Sequence, residues 1–169
     1  VFVCGGIETP KDIPETVIQA GAAAAETSIL LADARHEETS EEKIFPENPL
    51  DEVPRVGVLV CHCGTNIAGI VNIPQVLDQV KEMPEVVEAT DFLFSCSTET
   101  QPRIRELIQK HRLNRLVVAA CSPKTHEPLF QNALRQAGLN PYLLEMANIR
   151  NQCSWVHPQQ PEEATLKSI

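Results

Sequence analysis

Residues 56–63, Val-Gly-Val-Leu-Val-Cys-His-Cys, decide the fold, because an uninterrupted apolar run ends there in two cysteines. The run Val56–Val60 has the length of a buried strand. The sequence then changes to helical spacing between Ile73 and Met83, where four apolar residues share one face. These are Ile73, Val76, Leu77 and Val80. The stretch therefore predicts a buried strand followed by an amphipathic helix.

The same alternation continues toward the carboxyl end. The pattern predicts one or two short strand pieces in 86–94, and the strand that precedes Cys96 covers 92–95. It then predicts a helix over 99–111, a buried strand over 116–120, a helix over about 124–137 and a final strand over 142–146. Parallel neighbours need crossover connections, and helices provide them. The order β-α-β-α-β-α-β therefore predicts an α/β fold with a mostly parallel sheet and helices on both faces.

Residues 1–35 show a separate pattern. The apolar start, residues 1–3, is typical of the end of a buried strand, and Gly5-Gly6 predicts a turn. Asp12 and Glu15 have the spacing of a capping box at the start of a long helix rich in small residues. We expect this helix to pack on a sheet that the rest of the chain does not supply, and we expect the chain to be a piece of a longer protein.

Charge separates this segment from the α/β domain. Residues 36–54 hold seven acidic residues and one lysine, so they carry −6 of the net charge of −9. Such a segment cannot bury enough apolar surface to fold alone, and it predicts a linker. The expected organisation is a segment 1–35, a linker 36–54, a domain 55–158 and a tail 159–169.

Composition excludes several classes of protein. No cluster of Lys and Arg is present, which argues against a nucleic-acid partner. No apolar run is long enough for a transmembrane segment, and the first residues lack an export signal. We expect a cytoplasmic protein whose six cysteines stay reduced, as buried thiols or as metal ligands.

Four cysteines follow predicted strands. Cys61 and Cys63 follow the first, Cys96 follows the second and Cys121 follows the third. Because ligands bind at the carboxyl ends of parallel strands, we expect these four thiols to meet in one crevice.

Four soft ligands suit either a 4Fe-4S cluster or a structural zinc ion, and the spacing does not decide between them. A thiol-based redox protein that uses Cys61 and Cys63 is a third hypothesis. Weaker candidates exist in the rest of the chain: Cys4, Cys153, His62, His126 and His157 as ligands, and Asn148 and Arg150 as donors to sulfur.

The segments that contain these cysteines resemble the amino-terminal domain of the A subunit of heterodisulfide reductase. The resemblance rests on Val56–Ile70, on Val117–Pro128, on Leu139–Arg150 and on Ser154–His157. It implies a Rossmann-like fold and places Cys61, Cys63, Cys96 and Cys121 on the cluster-binding cysteines of that family.

Residues 1–34 look like the last strand, turn and helix of the thioredoxin-reductase-like FAD domain of the same family. The resemblance implies FAD contacts at the turn and helix start, by Gly5, Gly6, Lys11, Asp12 and Ile13. Gly6 stands where many such flavoproteins carry an Asp. The resemblance also implies an electron-transfer module, in a complex whose other parts hold FAD and ferredoxin-type clusters.

Overall fold

The chain divides into two compact units, Val1–Glu41 and Glu42–Ile169. The computed structural model describes residues 1–35, 37 and 53–169. The predicted linker 36–54 thus lies, apart from residues 37, 53 and 54, outside the described residues.

The first unit is a turn followed by one long helix. A 3-10 turn, Gly5–Ile7, precedes helix α1, Ile13–Leu30, and the predicted capping box is confirmed. The Asp12 carboxylate accepts a hydrogen bond from the Glu15 amide at 2.8 Å, and the Glu15 carboxylate accepts one from the Asp12 amide at 3.2 Å. None of the residues of α1 is buried.

The predicted strand end at residues 1–3 is wrong. These residues are exposed and belong to no strand. A strand needs a neighbour for its backbone N–H and C=O groups, and the described part of this unit contains no strand that could supply one.

The second unit contains the predicted parallel sheet. Its strands are β1 (Val56–Cys61), β2 (Val86–Phe92), β3 (Arg115–Ala120) and β4 (Leu144–Asn148). The spatial order is β2-β1-β3-β4, and every pair of neighbours is parallel. The α/β fold inferred from the sequence is therefore confirmed.

Helices cover both faces of this sheet. They are α2 (Thr65–Ala68), α3 (Ile73–Lys81), α4 (Thr100–His111), α5 (Pro123–Gln136), a π-helical turn (Arg150–Ser154) and α6 (Pro161–Lys167). Alternate residues of a strand point to opposite faces. Leu59 of β1 packs with residues of α4 and α5, whereas Val58 and Val60 pack with residues of α3 and α6.

The segment predicted as a tail, 159–169, forms helix α6 and packs on the sheet domain. Ala164 is fully buried, and Thr165 Oγ1 accepts a hydrogen bond from the Asn72 amide at 3.0 Å. The helix begins at Pro161, which fits the first turn because it lacks an N–H that would need a partner. In the described part of the chain, no helix combines the length and the apolar character needed to cross a bilayer.

Candidate metal centre

The strand order creates a crevice next to β1. From β1 the chain passes to β2 on one side and then crosses to β3 on the other. In open parallel sheets, such a reversal opens a ligand crevice at the carboxyl ends of the strands. Cys61 is the last residue of β1, and Cys121 is the first residue after β3.

The structure brings the four predicted cysteines together there. Cys61, Cys63, Cys96 and Cys121 line a single pocket, whose other lining residues are Phe94, Ser95, Ala120, His126, Phe130 and Arg150. The cavity measures about 40 Å³, which exceeds the roughly 10–15 Å³ that one water needs. All six cysteines of the chain are free thiols.

A tight turn holds the first two thiols. Cys63 has a φ of 49° and Gly64 a φ of 58°, and a non-glycine residue at such an angle is uncommon and costs free energy. The turn is held by bonds from the His62 amide to the Phe92 carbonyl (2.9 Å) and from the Cys63 amide to Cys61 Sγ (3.3 Å). The strained backbone therefore brings a second thiol back beside the first.

The loop after β2 supplies the third thiol and a second donor to Cys61. The strand ends at Phe92, so the predicted strand piece over 92–95 is a turn. This turn lets the Ser95 amide donate to Cys61 Sγ at 3.4 Å. Cys96 follows directly and is partly exposed in the same pocket.

The fourth thiol precedes helix α5. Cys121 is 7% exposed. Ser122 occupies the N-cap position of α5, but its side chain makes no capping hydrogen bond.

A cation completes the pocket. Arg150, the first residue of the π-helical turn, donates from Nη1 to Cys63 Sγ at 3.6 Å. Its guanidinium also stacks over the Trp155 ring, 4.6 Å from the centroid. The donor role considered for Arg150 in the sequence agrees with this geometry.

The thiols affect one another electrostatically. Burial raises the pKa of the Cys96 thiol, and negative charge on Cys61 and Cys63 raises it further. Burial also raises the pKa of Cys121, and the positive charge of Arg150 opposes that rise. The apolar pocket therefore disfavours several thiolates side by side unless a cation neutralises them.

The weaker candidates lie in different places. Cys153 is buried in the cluster that contains Val58 and Val60, and its Sγ lies 3.6 Å from the Lys167 carbonyl. The His62 ring pairs with Asp91 at 2.6 Å, and His157 lies 3.4 Å from the Gln160 side chain.

Of the three remaining candidates, one lines the pocket. His126 lines the pocket. The Asn148 side chain accepts a hydrogen bond from the Asn151 amide at 3.0 Å, so it stabilises the turn that carries Arg150. Cys4 belongs to the first unit.

The residues to which the resemblance assigns FAD contacts lie in the turn and at the start of α1. Gly5 donates its amide to the Gln19 side chain at 2.7 Å, and Lys11 pairs with Glu8 at 2.9 Å. Asp12 caps the helix, whereas Gly6 and Ile13 are exposed.

The chemistry of the pocket fits a thiolate-bound metal group. Four soft sulfur atoms line the pocket together with apolar side chains, and a guanidinium offsets negative charge. Among the described residues, no group of three or more His, Cys, Asp or Glu side chains is arranged to hold a metal ion.

Sequence reasoning missed four pocket residues, Phe94, Ser95, Ala120 and Phe130. Ser95 and Phe130 gave no signal of their own, because a serine before a cysteine and an aromatic residue in a helix are common. Their role depends on where β2 ends and on how α5 packs.

The fold and the pocket together define a parallel α/β domain with a cysteine-lined crevice at its topological switch point. Comparison with known proteins identifies its relatives. The chain is 52% identical over 118 residues to a protein of Archaeoglobus profundus named as similar to the A subunit of heterodisulfide reductase, covering 70% of this chain and 17% of the relative. Over the same length it is 52% identical to one of the iron-sulfur A subunits of CoB–CoM heterodisulfide reductase from Methanopyrus kandleri, with shares of 70% and 18%.

A third relative matches over a longer stretch. The chain is 46% identical over 138 residues to the A subunit of the H(2):CoB-CoM heterodisulfide,ferredoxin reductase of Methanothermobacter thermautotrophicus, covering 82% of this chain and 19% of that protein. No protein-family model matches the chain. The chain is thus a homologue of the A subunits of heterodisulfide reductases, and it spans less than a fifth of the length of these three relatives.

Proposed function

We propose that the second unit binds one 4Fe-4S cluster through Cys61, Cys63, Cys96 and Cys121 and transfers electrons within a heterodisulfide-reductase-like oxidoreductase complex. One observation carries the proposal: four thiols from three separate chain segments line the same pocket. When bound, such a cluster accepts and releases one electron at a time.

The chain's own residues would hold and tune this group. The Cys63 and Ser95 amides donate to Cys61 Sγ, and hydrogen bonds to cluster sulfurs are among the factors that set a reduction potential. Arg150 adds a positive charge next to Cys63. The Methanopyrus relative is named as an iron-sulfur protein of the reductase, which supports the same assignment.

The position of the pocket suits electron exchange with a partner. Two aromatic side chains near it are about half exposed, Phe94 at 47% and Trp155 at 51%. Phe94 lines the pocket, and Trp155 contacts Arg150. The bound group would therefore lie close to the surface of this domain.

The first unit has a different role in this proposal. Gly5, Gly6, Lys11, Asp12 and Ile13 would lie against FAD in a flavin domain whose main FAD-binding residues lie outside this chain. The exposed apolar side chains of α1, among them Val17 and Ile18, would pack on the sheet of that flavin domain. The other partners would be the ferredoxin-type clusters of the complex.

Anaerobic preparation of the chain tests the cluster directly. Iron and acid-labile sulfide should both be present at about four per chain, and the dithionite-reduced protein should give an EPR signal of a reduced 4Fe-4S cluster. One zinc per chain without visible absorbance would contradict the proposal and favour a zinc-stabilised interaction module. A reversible Cys61–Cys63 disulfide with thiol-exchange activity, and no iron, would favour a thiol-based redox protein.

A further inference from the structure

Ser95 carries a buried hydroxyl that the protein leaves without a hydrogen-bond partner. The residue is 0% exposed, and its Oγ has no partner among the described residues. A buried polar group without a partner costs about 1–3 kcal/mol, and for this reason such groups are few in native structures. Ser95 is also one of the residues that line the four-cysteine pocket.

The other polar atoms of Ser95 are already used. Its amide donates to Cys61 Sγ at 3.4 Å, and its carbonyl accepts from the Gln101 side chain at 2.8 Å. The Gln101 Oε1 atom is buried and also lacks a partner among the described residues, so the two side chains do not pair with each other. The hydroxyl is therefore the one polar group of Ser95 left to bind something in the pocket.

The local geometry keeps this hydroxyl close to the backbone amide that contacts Cys61 Sγ. A serine hydroxyl lies two bonds from its own Cα, so it stays near the amide of the same residue. Here that amide contacts Cys61 Sγ. Because no sulfur of the described residues accepts a hydrogen bond from Oγ, the remaining acceptor is an atom of the group bound in the pocket.

We propose that Ser95 Oγ donates a hydrogen bond to a sulfide of the bound iron–sulfur cluster and raises the reduction potential of the cluster. This inference rests on the proposed function. Reduction adds negative charge to the cluster, and a donor binds a more negative acceptor more strongly. The hydroxyl thus stabilises the reduced state more than the oxidised state.

Ser95→Ala should have different effects on the metal-free protein and on the protein with the bound cluster. Without the cluster, the substitution removes an unsatisfied polar group, so the denaturant midpoint of the metal-free chain should stay the same or rise. With the cluster, the substitution removes a charge-assisted hydrogen bond. The reduction potential should then become more negative, by about a tenfold change in the reduction equilibrium, which is about 59 mV for one electron.

Potentiometric titration followed by EPR tests this in the anaerobically prepared full chain. Ser95→Ala should lower the potential as stated, and Ser95→Thr, which keeps the hydroxyl, should restore it toward the wild-type value. The matched control is Ser168→Ala, because the Ser168 hydroxyl already donates to the Ala164 carbonyl at 2.7 Å and lies outside the pocket. This control should leave the potential unchanged.

The outcomes separate the inference from the proposed function. A wild-type cluster whose potential is the same in Ser95→Ala would overturn the inference and leave the proposed function standing. Equal shifts in Ser95→Ala and Ser168→Ala, or a Ser95→Thr potential equal to that of Ser95→Ala, would also overturn it. Wild-type protein without iron and sulfide would overturn both.

Discussion

Arg150 Nη1 lies 3.6 Å from Cys63 Sγ, although 87 residues separate the two in the chain. Cys63 follows β1, and Arg150 follows β4, two strands away in the sheet. Because all four strands are parallel, both residues lie at the carboxyl ends of the strands, on the same side of the domain. The contact places a fixed positive charge beside a proposed cluster ligand.

Replacing Arg150 by Met should make the cluster harder to reduce. The substitution removes the cation that favours the more negative reduced state, so the reduction potential should fall, by about 59 mV for each tenfold change in the equilibrium. The measurement is a potentiometric titration monitored by EPR.

Arg103→Met is the control for that experiment. It removes the same charge from a residue that stacks on Phe92 at 5.1 Å but does not line the pocket. Its potential should match the wild type. Equal potentials in all three proteins would show that Arg150 does not act on the cluster.

Replacing Cys121 by Ala should abolish stable cluster binding. Three thiolates remain, and one iron loses its protein ligand, so iron and sulfide per chain should fall well below the wild-type content after anaerobic desalting. Cys153→Ala is the matched control, because Cys153 is buried like Cys121 but packs in the other core cluster. Full iron content in Cys121→Ala, or equal losses in both variants, would contradict the ligand assignment.

Gly64→Ala should destabilise the turn that holds Cys61 and Cys63. Gly64 has a φ of +58°, and an added Cβ would lie 3.3 Å from the Phe94 ring. The expected loss in the free energy of unfolding is about 1–3 kcal/mol, measured by denaturant titration. Gly6→Ala serves as the control because no heavy atom would lie within 4 Å of its Cβ. Equal stability of Gly64→Ala and wild type would show that the turn tolerates a side chain.

Thr165→Val should lower the free energy of unfolding of the second unit, because helix α6 packs on its sheet. The change removes the acceptor for the backbone amide of Asn72, the N-cap residue of α3, and the expected cost is about 1 kcal/mol. Glu162→Gln, on the exposed side of the first turn of α6, should cost nothing measurable in the same denaturant titration. An unchanged midpoint in Thr165→Val would indicate that α6 contributes little to the domain.

The sequence predicted the parallel sheet because its strand runs and helix periods are clear and because crossover rules leave few arrangements. The convergence of the cysteines followed from the same rule, since each one comes after a strand. The ends of the elements do not follow from these patterns. The turn at 93–97 forms because Phe94 and Ser97 make local hydrogen bonds, and an apolar run alone does not reveal such bonds.

Other features depended on tertiary contacts that a single sequence does not encode visibly. The segment 159–169 is short and polar on most sides, so its sequence does not distinguish a helix from a tail. The fold does, because Ala164 of α6 is buried. The apolar residues 1–3 predicted a strand, but strand formation depends on a neighbour. The partnerless hydroxyl of Ser95 became visible only in the folded pocket, among the residues that the structure describes.

Anomalous diffraction at the iron edge from crystals of the anaerobically prepared chain would test the central claim most directly. The account predicts one compact iron site in the crevice, with Cys61, Cys63, Cys96 and Cys121 each bonded through Sγ to a different iron. Iron bound elsewhere, a single zinc ion in the crevice, or any of the four sulfurs without a bond to iron would contradict it.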